Sequence, residues 1–164
     1  MNRRFLSLLA GALLLAACAE TPSSTSNTSG ANASATPTAT SSAAEQPGSR
    51  EDFMRNVGDR VFFDFDKSDI KAEGRQVLQR QAEWLKKYPN VTVTVEGHCD
   101  ERGTREYNLA LGERRAAAAK KMLVALGVPA ARVSTISYGK ERPAVVGSNE
   151  AAWAQNRRAV TVIN

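Results

Sequence analysis

From Ala19 to Arg50 the chain carries no Leu, Ile, Val or aromatic residue. A run of Ser, Thr, Ala, Asn, Pro and Gly cannot bury enough apolar surface to offset the entropy of ordering it. This stretch therefore reads as a disordered tether, residues 19–50, and confines folding to residues 51–164, about the size of one compact domain. As a flexible coil the tether would span roughly 30 Å root-mean-square and about 100 Å when stretched. It could be a linker of tuned length or a plain spacer.

Ahead of the tether, Met1 to Ala17 has a short basic start, Arg3 and Arg4, and then an apolar run from Phe5 with six leucines. The run falls short of the ~20 residues that a spanning helix needs, and it fits a secretory signal, residues 1–17. Its end, Leu15-Ala16-Ala17-Cys18, is similar to the bacterial lipobox, which implies lipidation of Cys18 as the first residue of the mature chain. Several acyl chains on one cysteine make a durable anchor, at ~0.8 kcal/mol per buried CH₂. Ala19, not Asp, follows the cysteine, and by analogy with lipoprotein sorting this points to the outer membrane. The formal charge of +5 falls to +3 once Arg3 and Arg4 leave with the signal. Acidic and basic residues are interspersed through the rest, a pattern unlike a nucleic-acid binder.

In the folding part, VFFDF (61–65) predicts a strand with Val61, Phe63 and Phe65 on one face. A helix follows from about Lys71 to Lys87, with Val77, Leu78, Ala82 and Leu85 on one stripe, ended by Tyr88-Pro89-Asn90. Val91, Val93 and Val95 alternate with Thr92, Thr94 and Glu96, so the sheet has a single buried face and helices on one side. A second helix starts near Thr104, a fair N-cap, and stops at Gly127 before Pro129. Gly112 in its middle offers room for a neighbouring backbone or a ligand, or serves packing alone. Val133 to Tyr138 predicts a strand, Asn149 to Arg157 a short helix, and Ala159 to Ile163 a last strand with Val160 and Val162 inward. The expected order is βαβαβαβ, a two-layer α/β (α+β) sandwich.

The stretch Val91–Arg115 carries the chemistry. It reads as strand, tight polar loop and helix start, with Asp100 in the loop and Arg115 inside the helix. A carboxylate and a guanidinium at one such corner can receive a ligand that bears both an ammonium and a carboxylate. Asp100 is equally suited to capping the helix that follows. His98 and Cys99 are adjacent on a strand and so point to opposite faces, which makes a base and nucleophile pair implausible. Zinc would need three or four ligands, and the chain has one histidine. Binding is therefore expected instead of catalysis, with no metal and no cofactor. Cys99, lacking a disulfide partner once Cys18 is acylated, is expected to be a small buried residue.

The runs GHCDERGTREYNLALGERRA, SYGKERPAV and NEAAWAQNRRAV, in this order, resemble the C-terminal domain of OmpA-type proteins from about Val57 to Asn164, and among these the lipid-anchored members. The resemblance implies an OmpA-like βαβαβαβ layout with a mixed four-stranded sheet, and a module that binds peptidoglycan without covalent bonds. It implies that Asp100 takes the ammonium and Arg115 the carboxylate of diaminopimelate in the stem peptide, with backbone bonds around Gly103 and Thr104. Asn108 matches a position bordering that ligand, although a helix-surface role suits it as well, and Phe65 and Asp66 match the pocket rim. Arg157 and Arg158 are expected to pin the short helix, and Glu101 and Arg102 to form a solvated rim or a protein contact. The lipoprotein members further imply TolB and other Tol proteins as partners, with a role in envelope integrity and cell division. A structural lipoprotein or adhesin without Tol partners, or an enzyme acting on murein, are the competing readings.

Overall fold

Val93 and Val95 are buried while Thr94 and Glu96 stay partly solvated, so the alternation read from the sequence does fix one core-facing side of the sheet. The computed structural model describes residues 46–164. The signal, Cys18 and the tether as far as residue 45 lie outside the described residues.

In chain order the elements are α1 (Arg50–Asp52), which runs on as a π-turn (Phe53–Val57), β1 (Arg60–Phe62), α2 (Ala72–Lys87), β2 (Val93–His98), α3 (Arg105–Ala125), a 3-10 turn (Ala130–Arg132), β3 (Val133–Gly139), α4 (Glu150–Asn156) and β4 (Arg158–Ile163). The sheet order is β1-β4-β2-β3. Strands β2 and β3 are parallel, while β4 is antiparallel to both β1 and β2, which makes the expected mixed sheet. Leu78 and Leu85 of α2 and Ala116, Ala119 and Leu123 of α3 meet Val61, Val93, Val95 and Val133 of the sheet in one core.

Three details differ from the sequence reading. The folded part begins before residue 51. Ser49 caps α1 by accepting from Asp52 N–H at 3.1 Å, and Arg50 donates to the Ile163 carbonyl at 2.6 Å. Phe53 is buried edge-on against Trp84, with centroids 4.9 Å apart, and Trp84 Nε1 donates to Asp52 at 2.9 Å. Such a ring pair contributes ~1 kcal/mol beyond its buried area, which adds to the burial of Phe53 and Val57 in holding the turn.

Strand β1 is also shorter than predicted. It ends at Phe62, and Phe65 lies beyond it with 56% of its surface exposed. Asp66 then takes φ 57°, a left-handed turn that Asp tolerates better than most residues. Finally, β4 turns its other face inward. Val95 pairs with Thr161 and Val93 with Ile163, so Ala159, Thr161 and Ile163 face the helices, and Val160 and Val162 lie beside Glu96 and Thr94 on the far side. A buried threonine is acceptable here because its hydroxyl donates to Gln81 Oε1 at 2.9 Å, and Gln81 donates to the Gly58 carbonyl at 2.7 Å.

Candidate ligand site

The corner between β2 and α3 is built on a contact between two main chains. A Cβ on Gly97 would stand 1.9 Å from the Gly112 carbonyl oxygen, and one on Gly112 would stand 2.3 Å from Ser137 Oγ. The glycines thus let α3 lie directly on the strand, which is the neighbouring-backbone role open to Gly112 in the sequence. Beyond a register shift at Gly97/His98 the chain leaves the sheet. Thr104 Oγ1 accepts from Tyr107 N–H at 3.2 Å and starts α3 as its N-cap. Asn108, one turn on, donates from Nδ2 to the Arg102 carbonyl at 2.8 Å and the Thr104 carbonyl at 3.0 Å. Gly103 needs its φ of 89°, and Lys140 ties down the Glu101 and Gly103 carbonyls at 3.1 and 2.7 Å.

This loop closes one side of a cavity of about 150 Å³ lined by Phe65, Asp66, Cys99, Asp100, Arg102, Gly103, Tyr107, Asn108, Leu111 and Arg115. It is smaller than the ~300–1,000 Å³ of sites for whole drug-sized ligands, and suits an end group. Asp100 and Arg115 both line it, 4% and 1% exposed, and each is held by partners of its own. Arg115 donates to three carbonyls, Lys67 at 2.9 Å, His98 at 2.8 Å and Asp64 at 3.1 Å, and lies 5.2 Å from the Phe63 ring centroid. Burial lowers its pKa, although a guanidinium remains charged at neutral pH.

Asp100 accepts from Arg102 Nε at 3.2 Å, Arg102 Nη2 at 2.6 Å and Arg157 Nη1 at 3.4 Å. Burial pushes its pKa up, but the Arg102 and Arg157 bonds outweigh burial and keep the carboxyl below its ordinary value. The cavity wall therefore presents a fixed anion and a fixed cation at neutral pH.

The residues singled out in the sequence divide as follows. Asp100, Arg115, Asn108, Gly103, Phe65 and Asp66 line the cavity, and the Tyr107 hydroxyl donates to Asp66. Thr104 does not line it, because its hydroxyl and carbonyl serve the cap and Asn108. Arg102 is partly exposed and lies on Asp100, with its guanidinium 4.0 Å from the Phe65 centroid and 4.1 Å from that of Trp153. Arg157 pins α4 through Glu150 at 2.6 Å, as expected, and also reaches Asp100. Arg158 braces the Asn156 and Arg142 carbonyls at 3.3 and 3.2 Å.

Tyr107 and Leu111 went unnoticed in the sequence. Their spacing from Asn108 and Arg115 on α3 places all four on one helix face, and that was the available signal.

Cys99 is buried, donates to the Asn108 carbonyl at 3.3 Å, and has its thiol pushed up to about 11 by burial. His98 belongs elsewhere. Its ring lies 5.6 Å from that of Tyr138, and burial, then Arg158, push its pKa down to about 4. Among the described residues no group of three His, Cys, Asp or Glu could hold a metal ion, and no helix is long and apolar enough to cross a membrane.

The chain is similar to known proteins. Residues 62–157 match the OmpA family model. A peptidoglycan-associated lipoprotein of Agrobacterium fabrum is 63% identical over 117 residues, 71% of this chain and 66% of that protein's length. One from Brucella melitensis is 60% identical over 121 residues, 74% of this chain and 72% of the relative. The crystal structure of the peptidoglycan-associated lipoprotein from Burkholderia pseudomallei superposes with a TM-score of 0.67 at 41% identity, covering 71% of this chain and 100% of that one. The chain therefore belongs to the OmpA family, and within it groups with the peptidoglycan-associated lipoproteins.

Proposed function

We propose that the domain binds peptidoglycan non-covalently by gripping the zwitterionic end of diaminopimelate in the stem peptide. The observation that carries this reading is that one cavity is lined by both a buried carboxylate, Asp100, and a buried guanidinium, Arg115. Asp100 takes the ammonium and Arg115 the carboxylate. Lysine lacks that second carboxylate, so Arg115 gives the site its selectivity. Asn108 and Gly103 shape the wall, and Phe65, Asp66 and Tyr107 form its rim.

The names of the relatives, peptidoglycan-associated lipoproteins, support this reading. They also support an anchor at Cys18, with the domain in the periplasm and the lipid in the outer membrane, so that the chain fastens membrane to wall. TolB and other Tol proteins are the proposed protein partners. Many anchored copies, each with modest affinity, would add up to a firm attachment. Recognition without turnover fits the chemistry. The Cys99 thiol, pushed up to about 11 by burial, is a poor nucleophile at neutral pH, and the histidine lies tilted beside Tyr138.

The test is binding of a diaminopimelate-containing muropeptide to the unaltered protein, Asp100→Asn and Arg115→Lys, each checked for folding. Asp100→Asn should weaken binding by ~2–4 kcal/mol, because the ligand's ammonium is left without a counter-charge, and Arg115→Lys should also weaken it, because an ammonium keeps the charge but cannot reproduce the guanidinium's fork on a carboxylate. A muropeptide with lysine in place of diaminopimelate should bind poorly to all three. Equal affinity across the proteins would remove Asp100 and Arg115 from the site.

A further inference from the structure

Arg102 occupies the place where the ligand's ammonium would sit. Two of its nitrogens donate to the two Asp100 oxygens, at 3.2 and 2.6 Å. Its guanidinium lies between the rings of Phe65 and Trp153, 4.0 and 4.1 Å from their centroids, and Trp153 is itself oriented by donating from Nε1 to Glu101 Oε1 at 3.0 Å. We propose that Arg102 is an internal competitor, a resident cation that must swing off Asp100 before the ligand's ammonium can bind there. This rests on the reading above that Asp100 receives an ammonium.

The arrangement is that of a latch, because the guanidinium can leave while the loop stays. The Arg102 main chain is fixed independently, with its N–H on Asp100 Oδ1 at 3.2 Å and its carbonyl accepting from Asn108 at 2.8 Å. Lys140 braces the carbonyls on either side. The Arg102 side chain is 31% exposed, against 7% for Arg157, so one has somewhere to go and the other does not. When Arg102 departs, Asp100 keeps Arg157 at 3.4 Å and is not left as a lone buried charge. Phe65, the outer wall of the clamp, is itself more than half exposed and can follow. Arg115, tied to three carbonyls, has no such freedom.

A resident competitor lowers apparent affinity by the fraction of molecules in which it holds the site. For an ion pair with one partner this exposed, that factor is roughly five-fold. The effect is confined to ligands with a free ammonium. A ligand without one does not contest Asp100, and gains nothing when Arg102 is removed.

The experiment is calorimetric titration of the full chain with a diaminopimelate-containing stem peptide, and with the same peptide acetylated on the diaminopimelate amine. The proteins are the unaltered chain, Arg102→Met, which retains an apolar stem between the rings, Arg102→Gln as a second variant, and Asp100→Asn. Both Arg102 variants should bind the free-amine peptide roughly five-fold tighter and the acetylated peptide as the unaltered protein does. Free-amine binding that is unchanged or weaker, while Asp100→Asn still abolishes it, overturns the latch and leaves the Asp100 assignment standing. No binding by the unaltered chain, or full binding by Asp100→Asn, overturns the assignment itself and the latch with it.

Discussion

Arg157 and Asp100 meet at 3.4 Å across 57 residues of sequence, and through this contact the residue just ahead of the last strand holds the loop acid. The same guanidinium donates to Glu150 at 2.6 Å and to the Phe63 carbonyl at 3.1 Å, so one buried side chain joins the segment just after β1, the loop after β2 and α4. Arg157→Ala should lower unfolding free energy by ~3–5 kcal/mol, the usual result of removing one partner of a buried charged network. Urea unfolding checks this. Arg157→Lys should recover less than half of the loss, since an ammonium cannot reach all three acceptors in the same fork geometry.

Arg115 has a structural duty that a ligand-binding role alone would not suggest. Its three carbonyl acceptors come from the segment after β1 and the end of β2. Arg115→Ala leaves the buried His98 carbonyl without its donor, at ~1–3 kcal/mol, gives up the part-buried Lys67 and Asp64 bonds, and should lower the melting temperature. Circular dichroism melting would show it. Loss of ligand binding in that variant says little about the site, and Arg115→Lys is the informative change.

Gly97→Ala should destabilise by ~3 kcal/mol or more, since its Cβ would meet the Gly112 carbonyl oxygen at 1.9 Å and neither main chain can yield cheaply. Gly112→Ala should cost less. It gains ~1 kcal/mol of helix propensity against a clash with Ser137 Oγ, a side-chain atom whose bond to the Leu109 carbonyl would have to be given up. The order of the two denaturation midpoints is the measurement.

His98 makes stability fall with acid before any carboxylate does. Burial holds its folded pKa near 4, below its ordinary value of 6.5, so the unfolded chain takes up the proton first as pH drops. Stability is therefore undiminished above 6.5 and declines through the window down to about 4. The ring faces Arg158, Arg142, Arg60 and Tyr138, with Glu96 3.5 Å away. Between pH 7 and pH 5 the loss should be ~2 kcal/mol, and His98→Gln should flatten that segment of the profile. Asp100, whose folded pKa is depressed, contributes stability that fades only at lower pH, below its unfolded value of 3.8.

What could be read in advance followed local rules. Alternation in residues 91–96 gave the buried face, and Thr104 and Asn149 accept from the N–H three residues on, as N-caps do. The Asp100–Arg115 pair was legible because strand, loop and helix are contiguous. The rest depends on contacts between distant segments. Thr161 faces inward only because Gln81 receives its hydroxyl, a partner 80 residues away. The clamp on Arg102 needs Phe65 and Trp153, on opposite sides of it in sequence, and no spacing rule links them. Ser49 and Arg50 fell within the tether because what orders Arg50 is remote in sequence, the Ile163 carbonyl 113 residues away.

The bond from Arg50 to the Ile163 carbonyl sets the start of the domain beside the end of β4. Ile163 pairs with Val93 at the start of β2, and the loop bearing Asp100 leaves from that strand's other end. Tension between the entering chain and the loop therefore runs lengthwise through β2 and β4, loading their cross-strand hydrogen bonds together in shear instead of peeling them apart singly. Such a geometry yields only when many bonds fail at once.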